Sequence, residues 1–202
     1  MPSTTTLSHT PAGPRRGFGV RLGLSACACL CLTAAVGLLG TRTALAQPLP
    51  VPSAGLPGYI AGMKEVPDPG LDYRVLFDLQ SAPAAGPDPR LQSVARYLNS
   101  LAEYGVPPQR RHLVVLVHAA ATPLVLDNAA YGAAAHAVGH ANPNAALIAR
   151  MRSAGVQFRV CGQALLARHL TPAQLLPGVQ MDLWALSTLV NLQLQGYAHI
   201  DE

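Results

Sequence analysis

Residues 113–117, Leu-Val-Val-Leu-Val, decide the fold class of this chain. The run is apolar throughout and rich in β-branched side chains. Such a run is typical of a strand in a parallel sheet that is covered by helices on both faces. His118 follows it directly, so we expect an imidazole at the carboxyl end of this strand.

Strand-like and helix-like segments alternate on both sides of this run. We predict further strands over 73–79, 156–160, 179–183 and 197–200, and helices over 89–104, 128–137, 142–153, 162–169 and 185–195. Asp88 before a proline and Asn142 before Pro143 are typical helix starts. The alternation implies right-handed crossovers and an α/β domain with a mostly parallel sheet of about five strands.

The amino-terminal residues 1–46 have the pattern of a signal peptide. Arg15 and Arg16 open an export signal, residues 22–40 carry no charge, and Ala44-Leu45-Ala46 supplies the small residues that a signal peptidase reads. We therefore expect cleavage near Ala46 and a periplasmic protein of 202 − 46 = 156 residues. The paired arginines fit twin-arginine export, with general secretion and an uncleaved membrane anchor as the other readings.

Removal of this segment changes the charge and the cysteine count. Four of the 14 basic residues lie in it, which leaves 10 basic against 10 acidic residues. A near-neutral protein without a long basic cluster gives no reason to expect a nucleic acid partner or, after cleavage, membrane attachment. Three of the four cysteines, at positions 27, 29 and 31, are also lost, so Cys161 is the one that remains.

The remaining chain divides into two parts. Residues 47–70 are rich in proline and glycine and are expected to form an arm or linker. Residues 71–202 contain all the predicted strands and helices and form the α/β domain. Ligands of such domains gather at the carboxyl ends of the parallel strands, where both His118 and Cys161 are expected.

Cys161 is the main candidate for chemistry. It ends a predicted strand and precedes Gly162 and a short helix, and a helix amino terminus favours the thiolate form. The alternative is a small buried residue that only packs. His118 is the candidate proton acceptor, although it could equally satisfy backbone groups of the next loop. The sequence has no phosphate-binding glycine loop and no metal-ligand spacing, so we expect neither a cofactor nor a metal.

Several short motifs occur together in a recognisable order. They include Val114-Val115-Leu116-Val117-His118, Val160-Cys161-Gly162-Gln163, Leu175-Leu176-Pro177-Gly178-Val179 and Leu192-Gln193-Leu194-Gln195-Gly196-Tyr197. In this order and spacing the chain resembles an exported member of the DsrE/DsrF-like family. The resemblance implies a flavodoxin-like three-layer domain, assembly into homotrimers or homohexamers, and a persulfide-carrying cysteine, for which Cys161 is the match.

Three functional hypotheses remain open from the sequence. The first is a periplasmic sulfur-handling protein, a sulfurtransferase or sulfur carrier, in which Cys161 carries sulfane sulfur received from a donor protein and passed to an acceptor. His118 would assist it, and Asn128, Gly162 and Gln163 would bind substrate. The second is an oligomeric small-molecule-binding or interaction module in which Cys161 is structural. The third is thiol redox sensing through Cys161.

Overall fold

The computed structural model of the protein describes residues 48–82, 86–134 and 141–202. The predicted signal peptide and the end of the helix predicted over 128–137 lie outside these ranges. Within them, no helix has both the length and the apolar character needed to span a bilayer.

The described chain alternates strands with helices, as the sequence predicts. The strands are β1 (Tyr73–Leu79), β2 (Arg111–Val117), β3 (Gln157–Cys161), β4 (Gln180–Asp182) and β5 (Ala198–Asp201). The helices are α1 (Pro89–Glu103), α2 (Asn128–Ala134), α3 (Ala145–Ser153), α4 (Gly162–Leu166) and α5 (Ala185–Leu194). Each observed strand overlaps its predicted segment, with bounds that differ by two residues at most.

The five strands form one sheet in the order β4-β3-β2-β1-β5, and every neighbouring pair is parallel. Helices lie on both sides of the sheet, which confirms the predicted α/β class and its layered, flavodoxin-like arrangement. All five carboxyl ends therefore lie along one edge of the sheet. Residues that follow different strands are brought together at this edge.

Strand β2 is the centre of the domain. The side chains from Leu113 to Val117 are at most 1% exposed, because β1 and β3 pair with β2 on either side and helices cover both faces. Full burial of an apolar side chain of this size contributes about 1.5–3 kcal/mol. The alternation along the strand sends Leu113, Val115 and Val117 to one face and Val114 and Leu116 to the other.

The two faces of the sheet are covered unequally. The first face, called face 1 here, packs against apolar residues of α1, α2 and α3 in the larger core. The second face, called face 2, packs against Ala185 and Leu192 of α5 in a much smaller core, which also contains Cys161. A single long helix therefore covers face 2, and Arg159 of β3 and Asp182 of β4 line a cleft beside it.

Two helix starts show how far the sequence signals extend. The Asp88 side chain accepts hydrogen bonds from the backbone N–H groups of Arg90 and Leu91, so the predicted cap of α1 is confirmed. The prediction that Asn142-Pro143 starts the next helix is wrong, since α3 begins at Ala145. The Asn142 side chain donates from Nδ2 to the carbonyl oxygens of Leu124 and Leu126, at 2.9 and 2.7 Å, and its Oδ1 accepts from the backbone N–H of Asn144, so it joins the loop after β2 to the turn before α3.

Part of the proline-rich segment packs into the domain. Val51 and Ala54 are buried against the core, while residues 56–66 are exposed. The fully buried Asn99 side chain on α1 holds this segment, because it accepts from the backbone N–H of Val51 and donates to the carbonyl oxygens of Val51 and Gly55. The segment therefore begins as a covering strip of face 1 and continues as an exposed arm.

Candidate functional site

Cys161 is the last residue of β3, on face 2. Its side chain is buried, with 4% of the residue exposed, among Leu116, Ala164 and Ala185. Its Sγ lies 3.3 Å from the backbone nitrogen of Ala185, which donates a hydrogen bond to it. Ala185 is the first residue of α5, so the sulfur stands at the amino terminus of a ten-residue helix, where the helix dipole favours negative charge.

The two residues after Cys161 fix the chain around the thiol. A Cβ built on Gly162 would lie 2.8 Å from the carbonyl oxygen of Asp182 and 3.3 Å from that of Leu183, so a larger residue would push β3 and β4 apart. Gln163 is exposed and donates from Nε2 to the carbonyl oxygen of Leu183, at 3.3 Å. The close approach at Gly162 and the hydrogen bond of Gln163 hold the turn between β4 and α5 over Cys161. Substrate binding by Gly162 and Gln163 stays a prediction.

His118 follows β2 at the same edge of the sheet, and its ring is held by a carboxylate. Its Nε2 lies 2.8 Å from Oδ1 of Asp78 on β1. An ionised carboxylate only accepts hydrogen bonds, so the contact places a proton on Nε2 and leaves Nδ1 as the accepting nitrogen of the neutral ring. The next residue, Ala119, has φ +49°, so the backbone turns sharply just after the imidazole.

Asp78 is the centre of a polar cluster that the sequence analysis missed. Only 1% of it is exposed, and its second oxygen, Oδ2, lies 3.5 Å from Nε2 of His199 and 3.4 Å from Nε2 of Gln80. Gln80 also donates to Asp201 at 3.3 Å. The available signal was the alternation of β1, which sends Asp78 to the same face as the buried Leu76.

The structure brings Cys161 and His118 to one edge but gives them different partners. Val117 of β2 pairs with Val160 of β3, so the next residues, His118 and Cys161, lie at the ends of neighbouring strands on face 2. The His118 ring leans toward β1 and Asp78, whereas the sulfur of Cys161 points to the start of α5. A direct thiol–imidazole hydrogen bond is not among the contacts of the described residues.

Asn128 belongs to a different contact. It is the exposed first residue of α2, and its Oδ1 accepts a hydrogen bond from the backbone of Asn142 at 3.0 Å. This bond joins α2 to the loop before α3, on the side of the domain that faces away from α5. Its predicted role in substrate binding is not tested by this geometry.

In residues 48–82, 86–134 and 141–202, no group of three or more histidine, cysteine, aspartate or glutamate side chains is placed to hold an ion. The histidines at the site contact Asp78 instead.

A five-stranded parallel sheet with helices on both faces and a cysteine at the carboxyl end of an inner strand defines a flavodoxin-like α/β protein with a thiol at the carboxyl edge of its sheet. Residues 74–201 match the DsrE/DsrF-like family, and the chain belongs to this family. The family is generally linked to sulfur relay.

Solved structures include a similar chain. The protein of unknown function MTH1491 from Methanobacterium thermoautotrophicum is 19% identical, with a TM-score of 0.49, and the match covers 65% of this chain and 100% of that one. No curated protein matches the sequence significantly.

The buried carboxylate gives the first testable prediction. Asp78→Asn should lower the free energy of unfolding by about 1–3 kcal/mol, because an amide offers one accepting oxygen where the His118 imidazole and the Gln80 amide now have two. Urea unfolding at neutral pH measures the change. Asp201→Asn is the matched control, since that carboxylate is exposed on the same face. Equal losses in the two variants would contradict the central role of Asp78.

The close approach at Gly162 gives the second prediction. Gly162→Ala should destabilise the protein by about 1–3 kcal/mol, because the new methyl group meets the backbone oxygen of Asp182 rather than a movable side chain. Thermal or urea unfolding measures the loss. Gly58→Ala is the control, because a Cβ there has no neighbour within 4 Å. A neutral effect of Gly162→Ala would mean that β4 is not held as closely as described.

Proposed function

We propose that this protein carries sulfane sulfur as a persulfide on Cys161, and that it does so in the periplasm. The observation that carries the proposal is the hydrogen bond from the backbone N–H of Ala185 to Sγ of Cys161 at the start of α5. Backbone donors at a helix amino terminus favour a thiolate, which is the form that attacks sulfane sulfur. Membership of a family linked to sulfur relay supports the same chemistry.

The proposed step is an exchange of sulfur–sulfur bonds. The Cys161 thiolate attacks the outer sulfur of a donor persulfide or polysulfide, a new S–S bond forms at Cys161, and the donor leaves with the electron pair of its broken S–S bond as a thiolate. An acceptor thiolate then removes the outer sulfur in the same way. Neither step requires an outside oxidant or reductant, so one cysteine is sufficient for a carrier.

His118 and the turn after β4 complete the proposal. With Asp78 holding Nε2, the Nδ1 atom of His118 takes the thiol proton through a water molecule. Leu183 and Trp184, which are 77% and 51% exposed, form the turn that covers the sulfur and must move to admit a donor. The periplasmic location rests on the signal-like pattern of residues 1–46 alone.

Burial of the thiol favours a second function. Cys161 is 4% exposed and packs within the smaller core, as a purely structural cysteine would. On this reading the protein is an oligomeric binding or interaction module. The experiment on Cys161 below distinguishes the two functions.

Sulfur loading is the third prediction. After exposure of the purified protein to polysulfide, intact mass should show one or more sulfur atoms added to the wild type and none to Cys161→Ser. His118→Gln should load more slowly but to the same extent, because it affects the proton transfer and not the bond that forms. A wild-type protein that gains no sulfur, together with a Cys161→Ala variant that only loses stability, would favour the structural cysteine.

We also propose that the protein is a homo-oligomer that assembles through α5. Leu186, Val190 and Leu194 are 51%, 46% and 81% exposed and recur every four residues, so they form one apolar stripe along the helix. No charged residue lies between Leu183 and Ala198. An exposed apolar stripe without charges is typical of a protein–protein interface, and a second copy presents the same stripe.

Assembly is the fourth prediction. The native mass from light scattering should exceed that of one chain, and the double variant Leu186→Asp/Leu194→Asp should reduce it, because two buried charges oppose association. Leu56→Asp is the control, since this apolar residue is exposed on the arm. A monomeric wild-type protein, or a double variant that still assembles, would overturn the proposed interface.

A further inference from the structure

A polar cleft opens on face 2 between α5 and the edge of the sheet formed by β3 and β4. Its volume is about 400 Å³. The polar residues that line it are Arg159, Asp182, Ser187, Thr188, Asn191 and Gln195. The cleft exists because α5 covers the centre of face 2 but not its β4 edge.

Arg159 reaches this cleft with donor capacity to spare. It pairs with Leu116, so its side chain lies on face 2 together with that of Cys161. Its Nη2 donates to Gln157 at 3.0 Å, and its Nη1 is 3.5 Å from Oδ2 of Asp182. Its Nε is buried and has no acceptor among the described residues. A buried N–H without an acceptor is costly, so a turn of the guanidinium that brings this N–H to an acceptor in the cleft is favoured.

Asp182 has hydrogen-bond donors other than Arg159. Its Oδ1 accepts from Gln180 at 2.7 Å, and its Oδ2 accepts from the hydroxyl of Thr188 at 2.8 Å. These two neutral donors satisfy the carboxylate, and the contact with Arg159 is the longest of the three. The guanidinium can therefore turn toward an anion without leaving Asp182 unpaired.

The donors around Arg159 match one class of ligand. A guanidinium binds oxyanions through two parallel N–H bonds, and the hydroxyl of Ser187 and the amides of Asn191 and Gln195 add neutral donors on the α5 side. We infer that the cleft binds a small oxyanion through Arg159. An apolar ligand is disfavoured because six polar residues line the cleft.

The place of the cleft suggests a role that rests on the proposed sulfur-carrier function. Arg159 and Cys161 are two residues apart on the same face, so their Cα atoms are about 6.6 Å apart. The bound oxyanion is then the leaving end of a sulfur donor such as thiosulfate. The Cys161 thiolate attacks the outer sulfur of thiosulfate, a Cys–S–S bond forms, the S–S bond of thiosulfate breaks, and sulfite leaves with the electron pair.

The fifth prediction tests binding apart from sulfur transfer. Calorimetric titration of the purified full-length Cys161→Ser protein with thiosulfate, and separately with sulfate, should give saturable binding. Adding Arg159→Gln should raise the dissociation constant about tenfold or more, because a charged hydrogen bond is lost. Arg159→Lys should give an intermediate dissociation constant, since lysine keeps the positive charge but not the paired N–H donors of the guanidinium. Arg150→Gln, which removes the charge of an exposed residue on α3, is the control.

The outcomes separate the two proposals. Oxyanion binding that depends on Arg159, in a protein whose Cys161 takes up no sulfur from polysulfide, would support the cleft and overturn the carrier function. Sulfur loading of Cys161 without oxyanion binding, or binding equally weakened by Arg150→Gln, would overturn the cleft and leave the carrier function intact. A melting curve of Arg159→Gln that matches the wild type excludes unfolding as the cause, and Arg159→Lys provides the test if it does not match.

Discussion

The pairing of β2 with a parallel strand on each side is the constraint on which the rest of the structure depends. Every backbone group of a strand buried on both faces must find its partner in a neighbouring strand, and β1 and β3 provide those partners in a fixed register. The register aligns the carboxyl ends of the strands, so Asp78, His118 and Cys161 arrive at one edge although the chain separates them widely. A slip of one residue would turn the polar side chains of face 2 into the core of face 1.

Unequal covering of the sheet explains where function can reside. Face 1 is closed by α1, α2 and α3 and by the buried start of the proline-rich segment, and it holds the larger apolar core. Face 2 has one long helix, and beneath and beside that helix lie a buried carboxylate, an arginine and the cysteine. Both carboxylates of this face have hydrogen-bond partners, His118 and Gln80 for Asp78 and Gln180 and Thr188 for Asp182, whereas Nε of Arg159 has none among the described residues.

Helix α5 connects the separate features of this face. Its first N–H group meets the sulfur of Cys161, its Thr188 hydroxyl satisfies Asp182, and its inner residues close the smaller core. Its outer residues form the apolar stripe proposed as an interface. If copies associate through that stripe, the turn over Cys161 and the cleft beside Arg159 lie next to the contact, so assembly and access to the thiol would be linked through one element.

The sequence alone determined the α/β class, the order of the elements and the position of Cys161 and His118 at strand ends, because hydrophobic periodicity and helix caps are local signals. It placed Asp78 inside an apolar strand without revealing its role, and it did not reveal the position of Arg159 beside a cleft. Those answers required the tertiary structure, since a side chain's partners come from strands and helices distant in sequence. Asn142 shows the same limit: its local pattern predicted a helix start, but α3 begins three residues later, and the hydrogen bonds from its amide to the loop after β2 join segments that no local pattern connects.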